Sequence, residues 1–237
     1  SVSKANVALN LVSGSFMSEM TSIGNNLSFE QRNERLIEFL QIVRDLLASQ
    51  STYSFNGRHY QIENVDLFPK STGTDCKFFI SGQFETQTTL FDDPSVYFVK
   101  NYRPLDLLQK APGKRSGLNV GICVRPTEQE ALAAVQAYYP FDRQGELLYS
   151  LAVENNETPW NIWIKDYLKT NREDDLLFYL KPFKTYQSTS PFIVSSYENA
   201  AAHLKKYFEK GYQFFVLDFH RNDFKHIKIL TDLLKCG

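Results

Sequence analysis

Apolar residues in this chain fall into short runs separated by capping and turn segments. Val7, Leu9 and Leu11, with Ala8 and Val12 between them, form a run closed by Ser13-Gly14-Ser15. That pattern predicts a strand over 6–13 buried on both faces of a parallel sheet. Ser28-Phe29-Glu30-Gln31 has the form of a capping box, and Leu36, Phe39, Leu40, Val43, Leu46 and Leu47 follow at helical spacing, which predicts a helix over 29–49. Residues 52–68 alternate apolar and polar around Asn56-Gly57, the pattern of a β-hairpin. Further strands are predicted over 76–82, 95–100, 118–125 and 213–219. The fourth of these five strands runs into Pro126 and a Thr127-x-x-Glu130 capping box. Ser195-x-x-Glu198 reads as the cap of another helix, which Gly211 ends, and Phe224, Ile227, Leu230, Leu233 and Leu234 mark a final amphipathic helix. Between them, 140–186 is rich in aromatics and helical in pattern only near 144–153 and 159–169.

Five strands, most of them followed by a helix, imply a parallel sheet with helices outside it, either doubly wound or of the (β/α)8 barrel type. Five strands do not close such a barrel. With no internal repeat or low-complexity linker, residues 1–237 are expected to form a single domain.

Composition narrows the function classes. A 43% hydrophobic content supports a core, while 26 Lys+Arg against 27 Asp+Glu leave a net charge of -1 and no basic run longer than Lys205-Lys206. That argues against a nucleic-acid partner or an anionic membrane. Cys76, Cys123 and Cys236 are far apart in the chain and suit a reducing, cytoplasmic setting rather than a disulfide framework or metal knuckle. No apolar stretch approaches the roughly 20 residues of a membrane-spanning helix. No HExxH, GxGxxG or GKS/T motif occurs, so no metal ligands are assigned. His59, His203 and His226 fall in the hairpin or on amphipathic helices, where surface or packing roles are expected.

Several segments are familiar together. "NLVSGS", "RNERLIEFLQIVRDLL", "SFNGRHYQIENVDLFPK", "FFISG", "VGICVRPTEQEALAAV" and "FIVSSYENAAAHLKKYFEKGYQFFVLDF" come in the order and spacing of the bacterial luciferase-like flavin monooxygenases. The chain most resembles their alkanesulfonate monooxygenase branch. The resemblance implies a (β/α)8 TIM-barrel type of fold, here strands four to eight with a β-hairpin insertion and the first three βα units absent. Either a companion segment supplying those three strands or edge-to-edge packing with a second copy of the chain is expected to cover the sheet edges. The resemblance further implies reduced FMN as cofactor, a separate flavin reductase, O2 as oxidant, an organic or carrier-tethered substrate, and a homodimer packed through the 29–49 helix.

Carried over position by position, the resemblance places Ser13, Gly14, Arg32 and Gly82 at the flavin. The family's phosphate-binding serines are here Gln83 and Phe84, Asn33 replaces a tyrosine, and Asn119 and Gly121 occupy the positions of a catalytic Arg and His. Asp218 and His220, at i and i+2 on the last strand, are the candidate catalytic pair, because such spacing points both to one side at the strand end where barrel enzymes work. A second reading follows from the replaced residues: a catalytically silent relative serving as a binding or structural module, including one within a natural-product assembly line.

Overall fold

A computed structural model describes residues 8–14, 17–70, 76–82, 92–111, 113, 115–154, 158–170 and 175–235. The chain divides into two compact units, Ser1–Phe98 and Val99–Gly237.

In the first unit, strand β1 (Ala8–Leu11) runs parallel to β4 (Lys77–Ser81), with Leu9 opposite Phe78 and Leu11 opposite Ile80. Phe78 N donates to Ser95 O (2.8 Å) at the start of β5 (Val96–Asn101). Short helix α1 (Met17–Ser22) precedes α2 (Phe29–Ala48). The α2 capping box forms as predicted, with the Ser28 hydroxyl and the Gln31 side chain each bonded to the other residue's backbone. One α2 stripe buries Leu36 and Leu40 against Leu11, Phe78, Ile80, Val96 and Phe98. Hairpin β2 (Tyr53–Asn56) and β3 (Gln61–Val65) is tied to α2 by Glu38, whose carboxylate accepts the backbone N–H groups of Arg58 (2.8 Å), His59 (2.8 Å) and Tyr60 (3.1 Å).

In the second unit, the ten-residue strand β6 (Ser116–Arg125) is the axis of the core. It pairs in parallel with β7 (Phe192–Ser196) along 121–125 and with β8 (Phe214–Asp218) along 117–121. Gly121 N donates to Pro191 O, whereas Ser116 O accepts from Gln213 N. Residues an odd number apart bond to opposite sides of a strand, so β7 and β8 flank β6 on opposite sides. Helices α3 (Glu128–Tyr138), α4 (Arg143–Glu154), α5 (Pro159–Thr170), the short α6 (Lys181–Lys184), α7 (Tyr197–Glu209) and α8 (Phe224–Lys235) surround this sheet. Ile122, Ile193, Leu204, Tyr207 and Leu230 are among the buried residues joining strands to helices.

Three sequence expectations change. Strand β7 was not among the five predicted, because its short run leads straight into the α7 cap and reads as a helix approach. The α7 cap is Ser196, whose side chain accepts from Asn199 N, while Ser195 lies buried in β7. The strand predicted over 6–13 is described as Ala8–Leu11, and of these only Leu11 is buried; β8 contains no buried residue. Among the described residues β1 pairs only with β4 and β8 only with β6, so neither is enclosed as a central parallel strand would be. No helix among the described residues is long and apolar enough to cross a membrane.

Candidate functional site

The candidate residues fall in both units. In the first, β1 gives way to Ser13 and Gly14, and Gly14 takes φ +84°, a left-handed conformation suited to glycine. A Cβ at Gly14 would stand 2.8 Å from the Met20 Cε. The turn opens onto a cavity of about 770 Å³ walled by Val12, Ser13, Gly14, Met20, the 23–27 segment and Arg35. That segment is held from within: Gly24 N donates to Thr21 O (2.9 Å), Asn25 N to Met20 O (2.8 Å), and Leu27 N to Asn25 Oδ1 (3.3 Å). Arg32 does not line the cavity. It is buried, and its Nη1 donates to Leu27 O (2.8 Å), bracing the wall from behind. Gly82 ends β4, the neighbour of β1, at φ +136°. Gln83 and Phe84 lie outside the described residues.

The spacing of α2 makes Arg35 part of this wall although Arg32 was the residue singled out in the sequence. The two are three positions apart, near neighbours on one helix surface. That offset was the available signal. Arg35 is half-buried and is the one charged side chain among the described lining residues.

In the second unit, Asp218 and His220 stand at the C-terminal end of β8, as the spacing predicts. Their partners differ. The Asp218 carboxylate accepts from Ser188 Oγ (2.8 Å), Thr189 N (3.1 Å) and Thr189 Oγ1 (3.3 Å), which pins the approach to β7. His220 Nδ1 accepts from Asn222 N (3.4 Å) and caps the following turn, so in the neutral ring the hydrogen sits on Nε2. The imidazole stacks on Tyr138 with centroids 3.9 Å apart and meets Tyr139 edge-on.

Beneath that stack lies a pair that no local pattern foretold, because its members are far apart in the chain. Arg125, the last residue of β6, grips Asp223 through both ends of its guanidinium (3.1 and 2.8 Å), and its Nη2 also donates to the Tyr138 hydroxyl (3.2 Å). Asp223 is 1% exposed. Burial pushes the nearby Cys123 thiol up to about 12, which marks it as a packing cysteine rather than a nucleophile. At Gly121, where the resemblance places a catalytic histidine, a Cβ would lie 2.0 Å from the Phe192 ring. Phe192 occupies that space.

The remaining histidines are packed. His203 meets Tyr102 Oη (2.8 Å) and Tyr207 Oη (3.2 Å) through Nε2. Both phenols already donate their single proton to carbonyls, Tyr102 to Leu177 O (2.5 Å) and Tyr207 to Arg103 O (3.0 Å). His203 Nε2 must therefore carry the hydrogen. His226 Nδ1 pairs with Tyr197 Oη (2.6 Å), and His59 Nε2 lies 3.4 Å from Glu34 Oε2. Among the described residues no group of three His, Cys, Asp or Glu side chains could hold a metal ion.

Comparison with known proteins agrees with the fold. The family model "Luciferase-like monooxygenase" matches residues 2–98. The 4-(gamma-L-glutamylamino)butanoyl-[BtrI acyl-carrier protein] monooxygenase BtrO of Niallia circulans is 25% identical over 93% of this chain and 67% of its own. An FMNH(2)-dependent dimethylsulfone monooxygenase of Pseudomonas fluorescens (strain Pf0-1) is 28% identical over 54% of this chain and 38% of its own. Among solved structures, an F420-dependent secondary alcohol dehydrogenase superposes with a TM-score of 0.62 at 14% identity, covering 99% of this chain and 70% of that one. Residues 2–98 of this chain are similar to the luciferase-like monooxygenases, and the fold is of the TIM-barrel type; the matches do not single out the alkanesulfonate branch.

Proposed function

We propose that this chain, as a relative of the luciferase-like monooxygenases, is an FMN-dependent monooxygenase domain that oxygenates an organic substrate. The observation that carries the reading is the cavity at the C-terminal end of β1, walled by Ser13 and Gly14. Its chemistry fits a flavin: Val12, Met20, Ile23 and Leu27 offer apolar surface to a ring system, while a serine hydroxyl, asparagine amides and a guanidinium offer donors to a polar tail. When bound, reduced FMN supplies the electrons with which O2 is activated.

Ser13 would donate a hydrogen bond to the flavin, and Gly14 would let backbone approach it without a side chain. Arg32 holds the 23–27 wall in place and Gly82 admits the ligand beside β4. In the second unit His220 supplies a proton from Nε2, its ring fixed by Tyr138, and Asp218 positions the β7 approach.

The name of one relative informs the partners. BtrO acts on an acyl-carrier-protein substrate by its name, and a carrier-tethered substrate is the corresponding assignment here. A separate flavin reductase delivers reduced FMN. The α2 helix leaves Phe39 exposed beside its buried stripe, and a homodimer through α2 would bury on the order of 1,000 Å² or more. A companion segment carrying the first three barrel strands would pair with β1 and β8, and the setting is cytoplasmic. The alkanesulfonate branch is proposed on the 29–70 pattern alone.

The reading is tested by titrating the protein with FMN and with reduced FMN under anaerobic conditions, following flavin fluorescence and absorbance. Binding in the micromolar range is expected. No binding at millimolar flavin overturns it in favour of the silent module, which the Phe192 ring over Gly121 favours by filling the space where the resemblance implies a catalytic side chain.

A further inference from the structure

The cavity beside β1 is electrically lopsided. Its described lining holds the apolar side chains of Val12, Met20, Ile23 and Leu27, neutral polar groups on Ser13, Asn25 and Asn26, and one charge, the guanidinium of Arg35. The other nearby arginine is spent, since Arg32 is buried and bonded to Leu27 O. Arg58 pairs with Glu34 (2.9 Å), and Arg44 pairs with Asp93 (2.7 Å). Arg35 differs from all three: among the described residues no carboxylate, carbonyl or aromatic face meets its guanidinium, although the residue is half-buried and borders about 770 Å³ of open space.

A half-buried cation facing a cavity whose other described lining residues are uncharged favours a ligand that carries an anion. The planar fork of arginine matches two oxygens of a phosphoryl group at once. The neutral donors nearby are suited to the remaining oxygens. We propose that Arg35 is the anion anchor of this cavity and holds a phosphoryl group of the bound ligand. The residue was not singled out by family resemblance, and the assignment rests on the flavin reading only for the source of that group. Two sources share the chemistry. One is the terminal phosphate of FMN, and the other is the phosphodiester through which a carrier protein bears its pantetheine arm.

The test begins with inorganic phosphate alone, so that it does not depend on flavin binding or turnover. Titration of the isotopically labelled protein, followed by the side-chain N–H signals of arginine, should shift the Arg35 signal saturably. Arg35→Gln should weaken phosphate binding by about tenfold or more, the scale of a charge-assisted hydrogen-bonded pair, and Arg35→Lys should restore part of it. Because Arg35 bonds to no described residue, its unfolding midpoint should stay at that of the unaltered chain in both variants, and Arg35→Lys serves as the folded variant if the glutamine form is unstable. Matched ligands then identify the source. An FMN affinity that falls in Arg35→Gln with riboflavin affinity unchanged assigns the flavin phosphate; the same split between 4′-phosphopantetheine and pantetheine assigns the carrier arm. An Arg35 signal unmoved by phosphate, or equal phosphate affinity in all three proteins, overturns the proposal. Phosphate binding at Arg35 with neither matched pair affected would mean an adventitious ion only, and overturns it equally.

Discussion

The two units carry candidate residues of opposite character. At the end of β1 the polar groups face open space, and Arg35 has no described partner. At the end of β8 nearly every polar atom is already used: Asp218 holds Ser188 and Thr189, Arg125 holds Asp223, and His220 is stacked and capping. A polar group satisfied by its own chain contributes chiefly to shape, whereas one left facing a cavity is available to a ligand. At that strand end His220 Nδ1 is used in the cap and Nε2 is the ring nitrogen assigned chemistry.

The largest effect should come from the buried ion pair. Arg125→Ala leaves the Asp223 carboxylate, 1% exposed, without its counter-charge, a loss of about 3–5 kcal/mol for a buried pair. Urea unfolding of the variant measures it, and a loss below about 1 kcal/mol, the exposed-pair range, would erase the contrast between the units. Next, Asp218 and His220 should separate. Asp218→Ala strands the Ser188 and Thr189 donors and should cost about 1–3 kcal/mol of stability. His220→Ala should instead lower turnover by about 10²-fold, the scale of a general acid or base, with flavin affinity within a few-fold. Matching phenotypes in the two variants would show that the pair acts as one structural unit.

The smallest effect is a pH dependence. Burial holds the His203 imidazole below its ordinary value of 6.5, with Lys206 pushing the same way and Asp175 opposing. The folded chain therefore binds fewer protons at this site than the unfolded chain between the lowered value and 6.5. Stability should rise with pH across that window and fall as the solution is acidified through it. Tyr102, Tyr207, Asp106, Asp175, Lys206 and Lys210 surround the ring or its cavity. His226, also lowered by burial, adds a slope of the same sign. The difference between the unaltered chain and His203→Gln isolates the His203 share, and an unchanged slope would remove His203 from the account.

Local chemistry was legible wherever it repeats over a few residues. The capping boxes at Ser28 and Thr127 formed as read, whereas the hairpin turns later than Asn56-Gly57: Asn56 is paired with Gln61 and Gly57 N donates to Tyr60 O, so the chain reverses at Arg58-His59. Burial was less legible: an apolar run such as 6–13 looks alike in a central strand and in one with a single partner, since pairing is a property of distant residues. The same holds for Arg125 and Asp223, which meet only because β6 and the turn after β8 end together. β7 escaped notice because its apolar core spans few residues before the α7 cap. Arg35 sat in plain view three residues from Arg32, but nothing in the sequence says which of two helix-borne arginines faces a wall and which a void.

The register of β7 has a consequence for how the chain tolerates change. The backbone leaves β6 at Arg125 and returns to the same strand with Phe192 opposite Gly121 and Ser196 opposite Arg125. Residues 126–191 are thus moored at both ends to one short stretch of ladder. The entropic cost of lengthening a segment so closed grows only as the logarithm of its length. Its loops can therefore change length while β6, β7 and β8 keep their pairing, whereas Ile164, Phe178 and Leu180 in the core and Ser188 and Thr189 on Asp218 tie the rest of the stretch to the sheet.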